Sequence, residues 1–171
     1  MTSPQESDSG FVGSVPEFYD RVAAHAEVAR VLRPGGTYLF SVWDRLEANQ
    51  FVHEIEQALA ALYPDNPPTF MSRTPHGYFD DATIRADLGA TGAFESVTID
   101  TVDAFSRAPS ADIAAKAYIE GTPLRSAIEA LDPAGITAAL EVSAAMIAAQ
   151  FGAVDPVGKI RGLIVTATAK G

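Results

Sequence analysis

The sequence predicts an α/β domain in which one small sheet lies under a layer of helices. Three observations predict it. Runs at 37–43, 94–103 and 160–169 are rich in β-branched and aromatic residues and have strand character. Six other stretches repeat apolar residues at helical spacing. The 171 residues are 47% hydrophobic and 20% charged, which suits one domain with a real core.

Residues 1–10 (MTSPQESDSG) are polar and read as a disordered tail, leaving 11–171 as a single domain. Ser14-Val15-Pro16-Glu17 has the form of a helix start. Ser14 caps, Pro16 tolerates the first turn, and Glu17 completes a capping box. Phe18, Val22, His25, Val28, Ala29 and Leu32 then recur at helical spacing, which predicts one uninterrupted helix from Pro16 to Leu32. Arg33-Pro34-Gly35-Gly36 stops it, and TYLFSVW (37–43) follows as a buried strand.

The second helix spans 49–63. Phe51, Val52, Ile55, Ala58, Leu59 and Leu62 form its apolar stripe, with Glu54, Glu56 and Gln57 facing water. Pro64 ends it. Residues 64–78 form a long loop with prolines at 64, 67, 68 and 75, a length at which loops are often functional or mobile. Asp80 caps a short helix to about Leu88, closed by Gly89 and Gly92. The second strand, 94–103, alternates Val97, Ile99 and Thr101 onto one side. Ser110 caps a helix to Glu120, and Thr122-Pro123 starts another that carries Leu124, Ile128 and Leu131. Asp132-Pro133 starts the last helix, with Ile136, Leu140, Ala144, Ile147 and Phe151 as its buried face. Gly152 ends it before the final strand, 160–169.

Composition excludes several functions. A net charge of −10, from 22 acidic and 12 basic residues, disfavours nucleic acid and anionic membrane surfaces as partners. The absence of cysteine excludes disulfides, thiol catalysis and cysteine-ligated metals, and fits a cytoplasmic location. No apolar run approaches the roughly 18 residues of a membrane span, and the polar, acidic start does not resemble a signal peptide.

Few residues stand out for chemistry. Trp43 and Asp44 end the first strand, and ligands of open α/β sheets sit at the carboxyl ends of strands. The pair reads as a substrate-side wall and a polar contact, or more plainly as a half-buried tryptophan and a turn-capping aspartate. His76, in the proline-rich loop, is the best single acid–base candidate. No serine or carboxylate partner is fixed by spacing, so a solvated loop residue is the commoner outcome. His25 and His53 sit on or beside apolar helix stripes and read as packing residues. The three histidines show neither His-x-His nor His-x-x-x-His spacing, so no metal site is expected. Asp80-Asp81 is explained by capping and by the helix dipole.

The most recognisable stretch is EVARVLRPGGTYLF, 27–40. It resembles the helix, turn and fifth strand of class I S-adenosylmethionine-dependent methyltransferases. GYFDD (77–81), IRADL (84–88) and GAF (92–94) look like the segment entering that family's sixth strand, and 159–170 like its seventh, antiparallel strand. SVPEFYD (14–20) looks like the family's N-terminal lid, with Tyr19 as the residue that would cover the cofactor. The resemblance covers residues 11–20 and 25–171.

The departure from the family pattern is as informative. Close backbone approach to the donor needs a glycine-rich turn after the first strand, and the ribose hydroxyls need an acid ending the second. The chain has no Gly-x-Gly-x-Gly, and its only adjacent glycines, Gly35-Gly36, follow a helix. Where the family carries on the order of 100 residues of strands and helices, SVPEFYD runs straight into RVAAHAEVARVL. The resemblance thus implies a truncated, Rossmann-like methyltransferase remnant with an internal deletion near Asp20-Arg21. Its small three-stranded mixed sheet should hold the C-terminal antiparallel strand in the middle, covered by helices. It implies S-adenosylmethionine as cofactor and a small, apolar acceptor. Without the glycine-rich motif, the chain is expected to be inactive by itself. The alternative is a non-catalytic small-molecule-binding or oligomerisation module. The strand at 37–43 would lose its parallel neighbour and become an unguarded edge, which predicts a homodimer through that edge.

Overall fold

A computed structural model describes residues 21–171. The expected tail 1–10, the lid SVPEFYD and its Tyr19 lie outside the described residues.

The described chain begins in helix α1 (Arg21–Val31), which turns at Pro34-Gly35-Gly36 into strand β1 (Thr37–Trp43). Gly35 takes φ +69°, a left-handed conformation open to glycine. The turn is tied to the end of the chain: Gly35 N–H donates to the Ala169 carbonyl at 3.1 Å, and Ala169 N–H to the Gly36 carbonyl at 2.9 Å. A 3-10 turn (Leu46–Ala48) leads into α2 (Gln50–Leu62), a one-turn α3 (Phe70–Arg73) and α4 (Asp81–Ala90). Strand β2 (Phe94–Arg107), helices α5 (Ala111–Glu120), α6 (Leu124–Leu131) and α7 (Ile136–Phe151), and strand β3 (Val157–Ala169) complete the order.

The sheet runs β1-β3-β2, with the last strand in the middle. Both pairings are antiparallel, so the sheet is antiparallel rather than mixed. Rows Tyr38–Ala167–Val97 and Phe40–Val165–Ile99 share one face. Ile84 and Leu88 of α4 pack there, and His25 of α1 lies 5.3 Å from the Phe40 ring. The opposite rows are Leu39–Thr166–Thr98, Ser41–Ile164–Asp100 and Trp43–Gly162–Val102. On this face Leu39 is 64% exposed and Val102 47%.

The helices build a second, larger core. Helix α7 lies between α2 and α5, and its small buried residues, Ala139, Ser143 and Ala144, permit close approach on two sides. Phe51, Ile55, Leu59, Ile119, Leu124, Ile128 and Ile147 fill the space between helices. Each is essentially fully buried, and each such side chain contributes about 1.5–3 kcal/mol. The stripe Phe51-Val52-Ile55-Ala58-Leu59 is buried as expected, with Leu62 packed half-buried against the same core. Gly158 of β3 lies so close to α2 that a Cβ there would meet the Phe51 ring at 2.7 Å. No helix among the described residues is long and apolar enough to cross a membrane.

Several local expectations change. The 64–78 loop contains α3, whose Ser72 N–H donates to Glu56 Oε1 at 2.8 Å. Glu56 is therefore half-buried and bonded, not merely a solvated helix face. Strands β2 and β3 run longer than 94–103 and 160–169, because their ladder continues to the Arg107–Val157 pair. Within the expected helix 16–32, the described part is helical over Arg21–Val31, and 16–20 lies outside the described residues. Two capping expectations hold: Asp80 accepts from Thr83 N–H at 2.8 Å and Ser110 from Ile113 N–H at 3.2 Å. The Ser14 capping box lies outside the described residues, and the helix expected from Asp132-Pro133 begins at Ile136.

Candidate functional site: the cleft beneath Trp43 and His76

β1 delivers Trp43 to the edge of the helical layer, and the chain turns sharply after it. Asp44 N–H still pairs with the Arg161 carbonyl of β3 at 3.1 Å. The turn is held from inside by Asn49, which is 2% exposed. Its amide donates to the carbonyls of Asp44 (3.2 Å) and Arg45 (3.1 Å), and its Oδ1 accepts from Arg161 N–H at 3.0 Å. All of the amide's main capacity is used, as a buried asparagine requires. The adjacent Gln50 Oε1 accepts from Lys159 N–H at 2.6 Å. These bonds dock the start of α2 on β3.

His76 arrives from the far side. Residues 70–73 wind into α3, and His76 N–H then donates to the Met71 carbonyl at 3.0 Å. The residue is 5% exposed, so it is buried rather than a solvated loop histidine. The proline-rich composition of the loop suggested solvent, but its end folds under Trp43. The two rings are 6.1 Å apart and tilted. His76 Nδ1 lies 2.8 Å from the Asp44 carbonyl oxygen. A carbonyl only accepts, so Nδ1 carries the hydrogen and the neutral ring presents a lone pair at Nε2. Nε2 has no hydrogen-bond partner among the described residues. Burial pushes the His76 pKa below its usual value. The bond to the Asp44 carbonyl and the charges of Glu56, Asp44 and Glu47 oppose this more weakly.

Trp43 and His76 line a cleft of about 360 Å³ together with Phe70, Met71, Tyr118 and Ile160. That volume lies within the range of small-molecule sites, and the lining is mostly apolar. Burial pushes the Tyr118 phenol pKa up. The Thr122 hydroxyl, another lining group, is spent on the Tyr118 carbonyl at 2.7 Å. A second cleft of about 520 Å³ adjoins the first across Trp43, Pro75 and Ile160 and continues onto the sheet face that carries Ser41, Val102 and Ile164.

Among the sequence candidates, Trp43, Asp44 and His76 are brought together. Asp44 takes part through its backbone carbonyl. Its carboxylate caps Arg45 N–H at 2.7 Å and sits 3.8 Å from the Arg161 guanidinium. The turn-capping account therefore describes Asp44 better than a substrate contact does. Trp43 is 45% exposed and forms the wall. Asn49, Tyr118 and Met71 were not singled out from the sequence, because their partners lie on distant segments. The only local signal was an asparagine at a helix start.

His25 belongs to a different place. It is buried among Tyr38, Phe40 and Tyr78, with Nε2 3.3 Å from the Tyr78 hydroxyl. Desolvation lowers its pKa, with Asp87 opposing and Arg21 reinforcing. The Tyr78 pKa is pushed up by burial first and then by Asp87. Among the described residues no three of His, Asp and Glu gather into a metal-binding set. No family model matches the chain.

Proposed function

We propose that the cleft beneath Trp43 and His76 is an acceptor site. On this reading the chain is the acceptor-side part of a fold resembling the class I S-adenosylmethionine-dependent methyltransferases. It binds a small, largely apolar molecule and does not transfer a methyl group by itself. The observation that carries the reading is the cleft itself. It is apolar, sits at the carboxyl end of β1, and holds one buried imidazole with an unspent nitrogen. The strand order adds support. The last strand lies antiparallel between two strands parallel to each other, as the resemblance implies for the family's fifth, seventh and sixth strands. The donor has no counterpart for its glycine turn in the sequence.

Trp43 is the only tryptophan, so its single indole N–H resonance reports on the cleft. Titration with a set of small aromatic and aliphatic compounds should shift that resonance saturably for some of them. Dissociation constants should lie below about 1 mM, or roughly −4 kcal/mol. If no member of the set moves it saturably, the acceptor-site reading fails.

A second reading, self-association, is favoured by one observation. β1 forms the outer edge of the sheet among the described residues, and its seven residues carry no charge. Edges without charge or proline invite strand addition. We propose that a second copy pairs there, β1 against β1 about a two-fold axis. Light scattering coupled to size exclusion should find a dimer. A monomer of 18.0 kDa at every concentration contradicts it.

A further inference from the structure

We infer that the molecule this cleft takes is a neutral, phenol-like compound: an apolar body with one hydroxyl, which donates to Nε2 of His76. The inference rests on the acceptor-site reading and deepens it to a chemical class.

A polar atom that a ligand seals from water is costly to leave without a partner. In the wall of this cleft, Thr122 is spent on a backbone carbonyl and Asn49 on three backbone groups. His76 is 5% exposed, and its Nε2, reachable from the cleft, is an acceptor with no hydrogen-bond partner among the described residues. Because Nδ1–H is committed to the Asp44 carbonyl, Nε2 is an acceptor and the ligand must bring the hydrogen.

The surroundings decide the charge of that ligand. Asp44, Glu47 and Glu56 are the carboxylates that act on His76, and burial keeps the ring neutral. An anion would meet repulsion, because the charges that act on His76 are all carboxylates, and the Arg161 guanidinium is engaged at 2.7 Å by Asp103. A buried ammonium would lose hydration that the apolar wall does not replace. A hydroxyl supplies one hydrogen at little desolvation cost. Trp43, Phe70 and Met71 offer flat or adaptable apolar surfaces suited to an aromatic body.

The test uses four probes on the full chain: 4-ethylphenol, its methyl ether, 4-ethylbenzoate and 4-ethylbenzylamine. Binding is read at neutral pH from the Trp43 indole resonance. The phenol should bind about tenfold more tightly than the ether, the size of one net hydrogen bond. The two ions should bind more weakly than the phenol. His76→Phe should bind phenol and ether equally. The Asp44 carbonyl keeps Asn49 as a donor in that variant. A measurement on the unaltered protein guards against misfolding of the variant. Long-range proton–nitrogen correlation should show His76 as the Nδ1–H tautomer, with Nε2 shifting on addition of phenol but not of ether. Equal binding of phenol and ether to the native protein, or preference for either ion, overturns the inference and leaves the acceptor site standing. Binding of none of the four overturns both.

Discussion

The helical layer and the sheet differ in how completely they are closed. Between α2, α5, α6 and α7, large apolar side chains meet from several sides and are essentially excluded from water. The sheet has one such face. Its covered side packs on α4 and α1, while Leu39, Trp43 and Val102 stand exposed on the other. An antiparallel sheet tolerates one wet face when that face is polar. Here Ser41, Thr98, Asp100 and Thr166 share the face with exposed leucine, valine and tryptophan. Among the described residues the helical layer is thus a closed core, and the sheet is covered on one side only. The cleft beneath Trp43 and His76 lies where the two meet, built by the closed layer and walled by a residue of the open one.

The largest expected effect lies in the closed layer. Phe51→Ala removes a ring that packs edge-on against Phe151 at 5.2 Å and supports β3 through Gly158. It should cost about 3–5 kcal/mol in denaturant unfolding. A loss below about 1 kcal/mol would mean that the helical layer is less closed than described.

Gly158→Ala probes the seam between the layers. Its Cβ would meet a ring that is 1% exposed and cannot swing into solvent. A loss of about 1–3 kcal/mol is expected from overpacking. A neutral result would show that β3 can move away from α2.

Each layer also buries one histidine, His76 under the cleft and His25 beneath the sheet. Both pKa values are lowered, first by desolvation. The unfolded chain then binds more protons than the native one. Stability from these groups is fully present above the unfolded value, about 6.5. It is lost as pH falls below that value toward and through the folded ones. Thermal melts should drop as pH is lowered from 7.5 toward 5, and His25→Gln and His76→Gln should each flatten part of the slope. An unchanged slope in either variant would remove that histidine from the account.

Ser110→Ala removes the cap of α5 and should cost about 1 kcal/mol. At the small end, Leu39→Thr on the open face should change monomer stability by no more than about 0.5 kcal/mol and should raise solubility. A large loss would reveal that something covers that face.

The two layers were not equally legible in the sequence. Helix stripes and caps are local, so the α2 stripe and the Asp80 and Ser110 caps could be read directly. The middle position of β3 was also expected, through the resemblance. Strand direction and length were less readable, because ladder bonds belong to the backbone. After Asp103 the alternation fades, yet pairing continues through Phe105–Lys159 to Arg107–Val157. Helix α3 is four residues long, too short for periodicity, and depends on Glu56 from another helix. In the site, Trp43 and His76 could be singled out by residue type and place. The burial of His76 and the role of Asn49 could not, because Asn49 bonds to Arg161, 112 positions away.

The central claim is that the chain keeps an acceptor side without a donor side, and calorimetric titration tests it most directly. S-adenosylmethionine and its demethylated product should each give no saturable heat below about millimolar, roughly −4 kcal/mol. There is no glycine turn for close backbone approach. A one-to-one isotherm with a micromolar dissociation constant for either compound would contradict the account.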